Sequence, residues 1–147
     1  MLPENFFCMK KILFVDDEPN ILSALTRSQR NESYEILSAS SSEEALEILA
    51  RESVDVVISD EQMPGMPGSD FLLMVAKLYP DTIRIMLTGE CNLNSAIRAI
   101  NEGAIYRFLK KPCHTADLTQ TIHEALEHRE LVTRTRCDEP KVIERDV

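Results

Sequence analysis

The stretch KILFVDDEPN, residues 11–20, decides how this chain can fold. Its first half is apolar, and it then runs directly into three consecutive acids, Asp16, Asp17 and Glu18. A short apolar run bounded by a turn signal is typical of a strand buried on both faces, so the acids fall where that strand leaves the core. Like charges this close repel one another. A solvated loop tolerates such repulsion, and a hard cation such as Mg²⁺ relieves it.

Length and composition limit the classes of protein to consider. A chain of 147 residues is long enough for one domain with a substantial core and too short for two ordinary ones. Its 16 basic and 25 acidic side chains give a net charge of -9, which argues against general binding to nucleic acid or to anionic membranes. The four cysteines show no CxxC spacing, and no apolar run approaches the roughly 18 residues of a membrane span. We therefore expect a cytoplasmic protein.

Strand and helix patterns alternate along the chain. After the first strand, four further apolar runs predict strands at residues 34–39, 54–60, 82–89 and 104–112. Between and after them, amphipathic segments predict helices at residues 18–30, 38–52, 68–80, 92–103 and from Thr115 to about Arg134. Five such alternations predict an α/β fold, a parallel sheet covered by helices on both faces.

In folds of this kind, ligands bind at the carboxyl ends of the strands. The polar residues at those ends are Asp16, Asp17, Asp60, Thr88, Lys110 and Lys111. Carboxylates can hold a divalent cation and one of them can act as a nucleophile, while a hydroxyl and an ammonium group can bind phosphate oxygens. Together these residues indicate a site for phosphoryl chemistry.

Four motifs at these strand ends carry a family resemblance. FVDDEPN, SDEQMPGMPG, MLTG and FLKKP follow one another in the order found in receiver domains of two-component response regulators, which this chain resembles from Lys10 to Leu131. The resemblance implies a doubly wound, flavodoxin-like sheet with strand order 2-1-3-4-5 and five helices. It also divides the chain into an N-terminal extension (1–9), a receiver domain (10–131) and a C-terminal tail or truncated linker (132–147).

The resemblance also assigns roles around the predicted phosphate site. Asp60 is expected to accept a phosphoryl group from a sensor histidine kinase, a phosphotransfer protein or a small phosphodonor. Asp16, Asp17, Asp60 and the backbone carbonyl of Gln62 are expected to hold Mg²⁺. Such a domain is a signalling switch that catalyses its own phosphoryl uptake and loss, and any output enzyme lies outside this chain.

Further expectations concern the switch itself. Thr88 would bond a phosphoryl oxygen and Lys111 would pair with the phosphate, with a cis peptide between Lys111 and Pro112. Phe108 stands where the family couples an aromatic ring to the threonine, although phenylalanine has no hydroxyl for the hydrogen-bonded form of that switch. Gln62 and Glu90 are candidates for tuning the lifetime of the phosphate.

Two alternatives and two partner hypotheses accompany this interpretation. A haloacid-dehalogenase-type phosphatase would need a DxDxT run that SDEQMPG lacks, whereas a degenerate receiver used only for docking would not bind Mg²⁺. More locally, MLTGE and AIYRFLKKP resemble receivers attached to HD-GYP phosphodiesterases or to hydrogenase-type transcriptional activators, which suggests an output domain or partner outside this chain. Apolar positions continuing to Leu131 and Val132 suggest homodimerisation through the last helix.

Overall fold

The computed structural model describes residues 9–89 and 92–146, with side chains as far as residue 133. Five strands alternate with five helices. The strands are β1 (Lys11–Val15), β2 (Glu35–Ala39), β3 (Val56–Asp60), β4 (Ile83–Thr88) and β5 (Arg107–Lys110). The helices are α1 (Pro19–Ser28), α2 (Ser42–Arg51), α3 (Gly68–Leu78), α4 (Leu93–Asn101) and α5 (Thr115–Asp146). All strand pairs are parallel and their order is β2-β1-β3-β4-β5, which confirms the predicted fold class.

The sheet separates two apolar cores. Because side chains alternate between the faces of a strand, Ile12 and Phe14 of β1 point to one core while Leu13 and Val15 point to the other. Helices α2, α3 and α4 cover the face that carries Leu13, and α1 and α5 cover the opposite face. Burial on both faces explains why the strands are continuous apolar runs rather than alternating patterns.

Local signals account for several helix boundaries. Pro19 opens α1, where its missing N–H removes no intrahelical bond. At the start of α2, the Ser41 hydroxyl accepts a hydrogen bond from the Glu44 N–H at 3.1 Å, and the Glu44 carboxylate accepts one from the Ser40 N–H at 2.7 Å. After α4, Gly103 adopts a positive φ of 78°, the conformation that ends many helices.

Helix α5 is longer than the sequence pattern indicates. Its backbone is helical to Asp146, past the expected end near Arg134. The helix continues across Pro140, although the missing N–H and the ring of a proline usually kink or end a helix. Near the amino-terminal ends of the strands, an ion pair of 3.0 Å between the Arg129 guanidinium and the buried Asp55 carboxylate anchors α5 to the sheet. Among the described residues, no helix combines the length and apolarity needed to cross a bilayer.

Candidate functional site

Three carboxylates meet at the carboxyl edge of the sheet. Val15 of β1 pairs with Ser59 of β3, so the next residue of each strand, Asp16 and Asp60, reaches the same edge. One oxygen each from Asp16, Asp17 and Asp60 lies within 4.8 Å of the others. Asp16 is fully buried, Asp60 is 6% exposed, and Asp17 is partly exposed. The sequence-predicted acids therefore form a single cluster.

Asp16 has an oxygen that the protein does not fully satisfy. Its Oδ1 accepts a hydrogen bond from the Glu18 N–H at 2.9 Å. Its Oδ2 is buried without a hydrogen-bond partner and lies 3.6 Å from the Lys111 Nζ. Burial raises the pKa of Asp16, as do the charges of Asp60 and Asp17, against the opposing effects of the Glu18 N–H and Lys111. A divalent cation bound to this oxygen would relieve both the burial cost and the repulsion, so the donor set fits a hard metal ion.

Lys111 brings a positive charge into the acid cluster. Its Nζ lies 2.8 Å from Asp60 Oδ1, and its backbone N–H donates to the Thr88 carbonyl at 2.8 Å. The peptide bond between Lys111 and Pro112 is cis. Burial lowers the pKa of Lys111, but its hydrogen bond to Asp60 and the charges of Asp60 and Asp16 outweigh that effect and raise it. The ammonium group is therefore held in its charged form beside Asp60.

Thr88 and Phe108 lie on the same side of the sheet. The Thr88 side chain is fully buried, and its hydroxyl donates to the Gly89 carbonyl at 3.2 Å. Thr88 pairs with Lys110, and Met86 pairs with Phe108, so Phe108 lies two positions before the partner of Thr88. The Phe108 ring is half-buried against the core beneath α3 and α4. The structure therefore places both side chains on the face of the sheet that α3 and α4 cover.

One further predicted residue, Gln62, lies on a loop at the same edge. Gln62 is exposed on the loop after β3 and lines an open cavity of about 490 Å³ together with Pro64, Pro67 and Asn92. Glu90 lies outside the described residues. The site as described therefore joins Asp16, Asp17, Asp60, Thr88 and Lys111, with Gln62 at its rim.

Sequence reasoning missed two neighbours of Asp60. The Glu61 carboxylate is buried, and its two oxygens accept hydrogen bonds from the Ser69 N–H at 2.7 Å and from the Ser69 hydroxyl at 3.2 Å. A Cβ placed on Gly68 would lie 2.1 Å from the Asp60 carbonyl oxygen, so only glycine fits there. One signal pointed to Glu61: Pro67 cannot cap α3 with its side chain, so another residue must do so.

Comparison with known protein families identifies the family of this chain. The sequence model of the response regulator receiver domain matches residues 12–123, most of the chain. The chain belongs to this family. The expected resemblance is thereby confirmed, and the chain is a receiver domain of the two-component response regulators, a signalling domain.

Individual receiver proteins support the assignment. The hydrogenase transcriptional regulatory protein HoxA of Cupriavidus necator is 35% identical over 116 residues, which are 79% of this chain and 24% of that protein. A receiver domain protein from Clostridium thermocellum superposes with a TM-score of 0.80 at 38% identity, covering 84% of this chain and 99% of that one. The signal receiver domain of an HD domain-containing protein from Pseudomonas fluorescens Pf-5 superposes with a TM-score of 0.81 at 37% identity, covering 86% of this chain and 93% of that one. The chain spans about a quarter of the length of the curated relatives it matches.

Proposed function

We propose that this receiver takes a phosphoryl group onto Asp60 from a sensor histidine kinase or a phosphotransfer protein and passes the signal on by changing shape. The observation that carries the proposal is the position of the Asp60 carboxylate. It lies beside two further carboxylates and 2.8 Å from the Lys111 ammonium, at the carboxyl edge of a parallel sheet. Asp17 and the mouth of the site are open enough for a donor to approach.

The transfer is a nucleophilic displacement at phosphorus. An oxygen of Asp60 forms the new P–O bond while the P–N bond of the donor phosphohistidine breaks, and the leaving ring nitrogen keeps the electron pair. With a small phosphodonor, the bond that breaks joins phosphorus to that donor's leaving atom. Lys111 moves from the Asp60 carboxylate to the phosphoryl oxygens and neutralises part of their charge. Later attack of water on phosphorus releases inorganic phosphate and restores the carboxylate, at a rate that we expect Gln62 and Glu90 to tune.

The acid cluster is proposed to hold Mg²⁺ during transfer. Asp16, Asp17, Asp60 and the backbone carbonyl of Gln62 would hold it, and the unpartnered Asp16 Oδ2 supports this choice. When bound, the ion offsets the charge of the carboxylates and of the incoming phosphoryl oxygens. The protein's own residues keep the Asp60 carboxylate buried beside the Lys111 ammonium, while the partly exposed Asp17 leaves the cluster open to a donor.

Phosphorylation would change the fold through Thr88. A phosphoryl group adds about -1.5 to -2 charges and three acceptor oxygens next to this residue. We expect the Thr88 hydroxyl to leave the Gly89 carbonyl and donate to the phosphoryl group, and the Phe108 ring to move inward. Because phenylalanine cannot follow with a hydrogen bond of its own, packing alone would drive that movement. The changed surface would comprise α4, β5 and the start of α5.

The output is proposed to lie beyond residues 10–131 of the receiver, with 132–147 as a linker to an output domain or partner. A hydrogenase transcriptional regulator and an HD domain-containing protein both carry a similar receiver, which supports either kind of output. We also propose homodimerisation through α5, where Leu131 is 59% exposed. A cytoplasmic location, which the scattered cysteines favour, belongs to the same proposal.

Intact-mass analysis tests the central step. The protein is incubated with Mg²⁺ and a small phosphodonor, alongside Asp60→Asn and a metal-free sample. One added phosphoryl group in the wild-type protein alone would support the proposal. An unchanged mass, with no shift in melting temperature on adding fluoroberyllate, would favour a receiver used only for docking.

A further inference from the structure

Helix α3 begins without a cap of its own. The first amides of a helix have no intrahelical acceptor and need one from elsewhere. The residue before α3 is Pro67, whose side chain makes no capping bond. The acceptors come instead from Glu61: its carbonyl accepts from the Gly68 N–H at 2.9 Å, and its carboxylate accepts from the Ser69 N–H at 2.7 Å. The residue directly after Asp60 therefore caps a helix seven residues farther along the chain.

Glu61 is held on its other side as well. Its backbone N–H donates to the Leu87 carbonyl of β4 at 3.1 Å. The N–H group is thus tied to the sheet, while the carbonyl and the carboxylate are tied to α3. A backbone segment restrained on both sides loses much of its freedom to rotate about φ and ψ. The backbones of the flanking residues, Asp60 and Gln62, are restrained in the same way.

The contact at Gly68 brings α3 against the same segment. With the hypothetical Cβ of Gly68 only 2.1 Å from the Asp60 carbonyl oxygen, the start of α3 and the end of β3 touch backbone to backbone. The Ser59 hydroxyl donates to that carbonyl oxygen at 2.9 Å. The backbone that carries the Asp60 side chain is therefore enclosed by β4 and α3.

The Glu61 charge is compensated without a basic partner. In the part of the chain that the structure describes, no Lys, Arg or His nitrogen lies within 4.0 Å of its carboxylate, although the residue is only 7% exposed. The helix dipole and the amides of α3 stabilise a negative charge at this position. The Glu61 side chain is thus long enough to cap α3, and the amides of α3 already offset its charge.

We propose that Glu61 is a positioning residue for the metal site. By fastening the segment between Asp60 and Gln62 to α3, it holds the Asp60 carboxylate and the Gln62 carbonyl where they can bind the same Mg²⁺. This inference rests on the proposed function, since it concerns the metal site that serves phosphoryl transfer. Residues that orient metal ligands in this way typically affect metal affinity by about 10- to 100-fold when they are replaced.

Three replacements of Glu61 separate the effect of its side-chain length, its reach, from the effect of its charge. Glu61→Asp keeps the charge but draws the carboxylate back by about 1.5 Å, the length of one carbon–carbon bond, which breaks the contact with Ser69. Glu61→Gln keeps an acceptor oxygen at full reach and removes the charge. Glu61→Ala removes both. Glu44→Ala is the matched control because it deletes a carboxylate that caps α2 at the same edge of the sheet but is not bonded to the segment between Asp60 and Gln62.

Titration of the full chain with Mg²⁺ by calorimetry measures the dissociation constant for each variant. We expect Glu61→Asp and Glu61→Ala to bind about tenfold more weakly than wild type, with Glu61→Gln and Glu44→Ala within about twofold. Urea unfolding of each variant establishes that it is folded under these conditions, and if Glu61→Ala is not, the Asp and Gln variants still decide the question.

Other results would overturn the proposal. Wild-type affinity in Glu61→Asp would show that the contact with Ser69 does not matter to the metal. Binding by Glu61→Gln as weak as that of Glu61→Asp would show that the charge is needed as well as the length of the side chain, contrary to the proposal. A wild-type protein that binds no Mg²⁺ and accepts no phosphoryl group would instead refute the proposed function, which is a separate outcome.

Discussion

Replacing Gly68 with alanine tests how closely α3 is joined to the strand that carries Asp60. The new methyl carbon would lie 2.1 Å from the Asp60 carbonyl oxygen and 2.9 Å from the Glu61 Cα, whereas ordinary contact begins at 3.4 Å. Both obstacles are backbone atoms, so no side chain can turn away. The helix must move by more than about 1 Å, which is the kind of overpacking that costs roughly 1–3 kcal/mol.

Moving α3 also weakens its cap. The bond from the Gly68 N–H to the Glu61 carbonyl and the bond from the Ser69 N–H to the Glu61 carboxylate both lengthen or break with that displacement, and each is worth about 1 kcal/mol. The helix propensity gained on replacing glycine returns at most about 1 kcal/mol. The free energy of unfolding should therefore fall by about 3 kcal/mol.

Urea denaturation followed by circular dichroism measures this change. With a slope of about 1.5–2 kcal/mol per molar urea for a domain of this size, the unfolding midpoint should fall by about 1.5–2 M. Gly89→Ala is the control, because a Cβ at that position meets no atom of the described residues within 4 Å and the φ angle is not positive. If both variants unfold within about 0.5 kcal/mol of each other, the contact between α3 and Asp60 is not the rigid one described above.

Three further replacements have defined outcomes. Asp16→Asn should stabilise the metal-free protein, because burial and neighbouring carboxylates raise the pKa of Asp16, and it should abolish stabilisation by Mg²⁺ in thermal melts. An undiminished Mg²⁺ effect would contradict this. Burial raises the pKa of Tyr34 well above its usual 10.0, so the unfolded chain loses this proton first and stability falls above pH 10 by about 1.4 kcal/mol per unit. In urea unfolding at pH 9 to 11, the free energy of unfolding of Tyr34→Phe should fall less steeply with pH than that of the wild type. The same pH dependence in both proteins would refute the role given to Tyr34. Arg129→Ala should lower the free energy of unfolding by about 3 kcal/mol, because Asp55 is left buried without its charge partner. Adding Asp55→Asn to Arg129→Ala should recover part of this loss. If urea unfolding shows that the effects of the two replacements simply add, Arg129 and Asp55 are not coupled.

Local patterns determined the fold class and the members of the site. Apolar runs such as Ile12 to Val15 indicate strands by their own composition, and the alternation with amphipathic segments then allows few topologies. In a parallel sheet all carboxyl ends share one edge, so residues that are distant in sequence, such as Asp16 and Asp60, could be brought together from the sequence alone. Their roles came from motif resemblance, and the family match supports that resemblance.

Tertiary structure decided how those residues are held. Nothing in the sequence indicates that Asp16 Oδ2 is buried without a hydrogen bond, or that a methyl group at Gly68 would collide with the Asp60 carbonyl. The role of Glu61 as the cap of α3 depends on a loop that folds back so that the residue after β3 meets Ser69. Propensity and periodicity describe a residue and its near neighbours along the chain. Hydrogen bonds and collisions between separate segments are set by how whole elements pack, and only the folded structure contains that distance information.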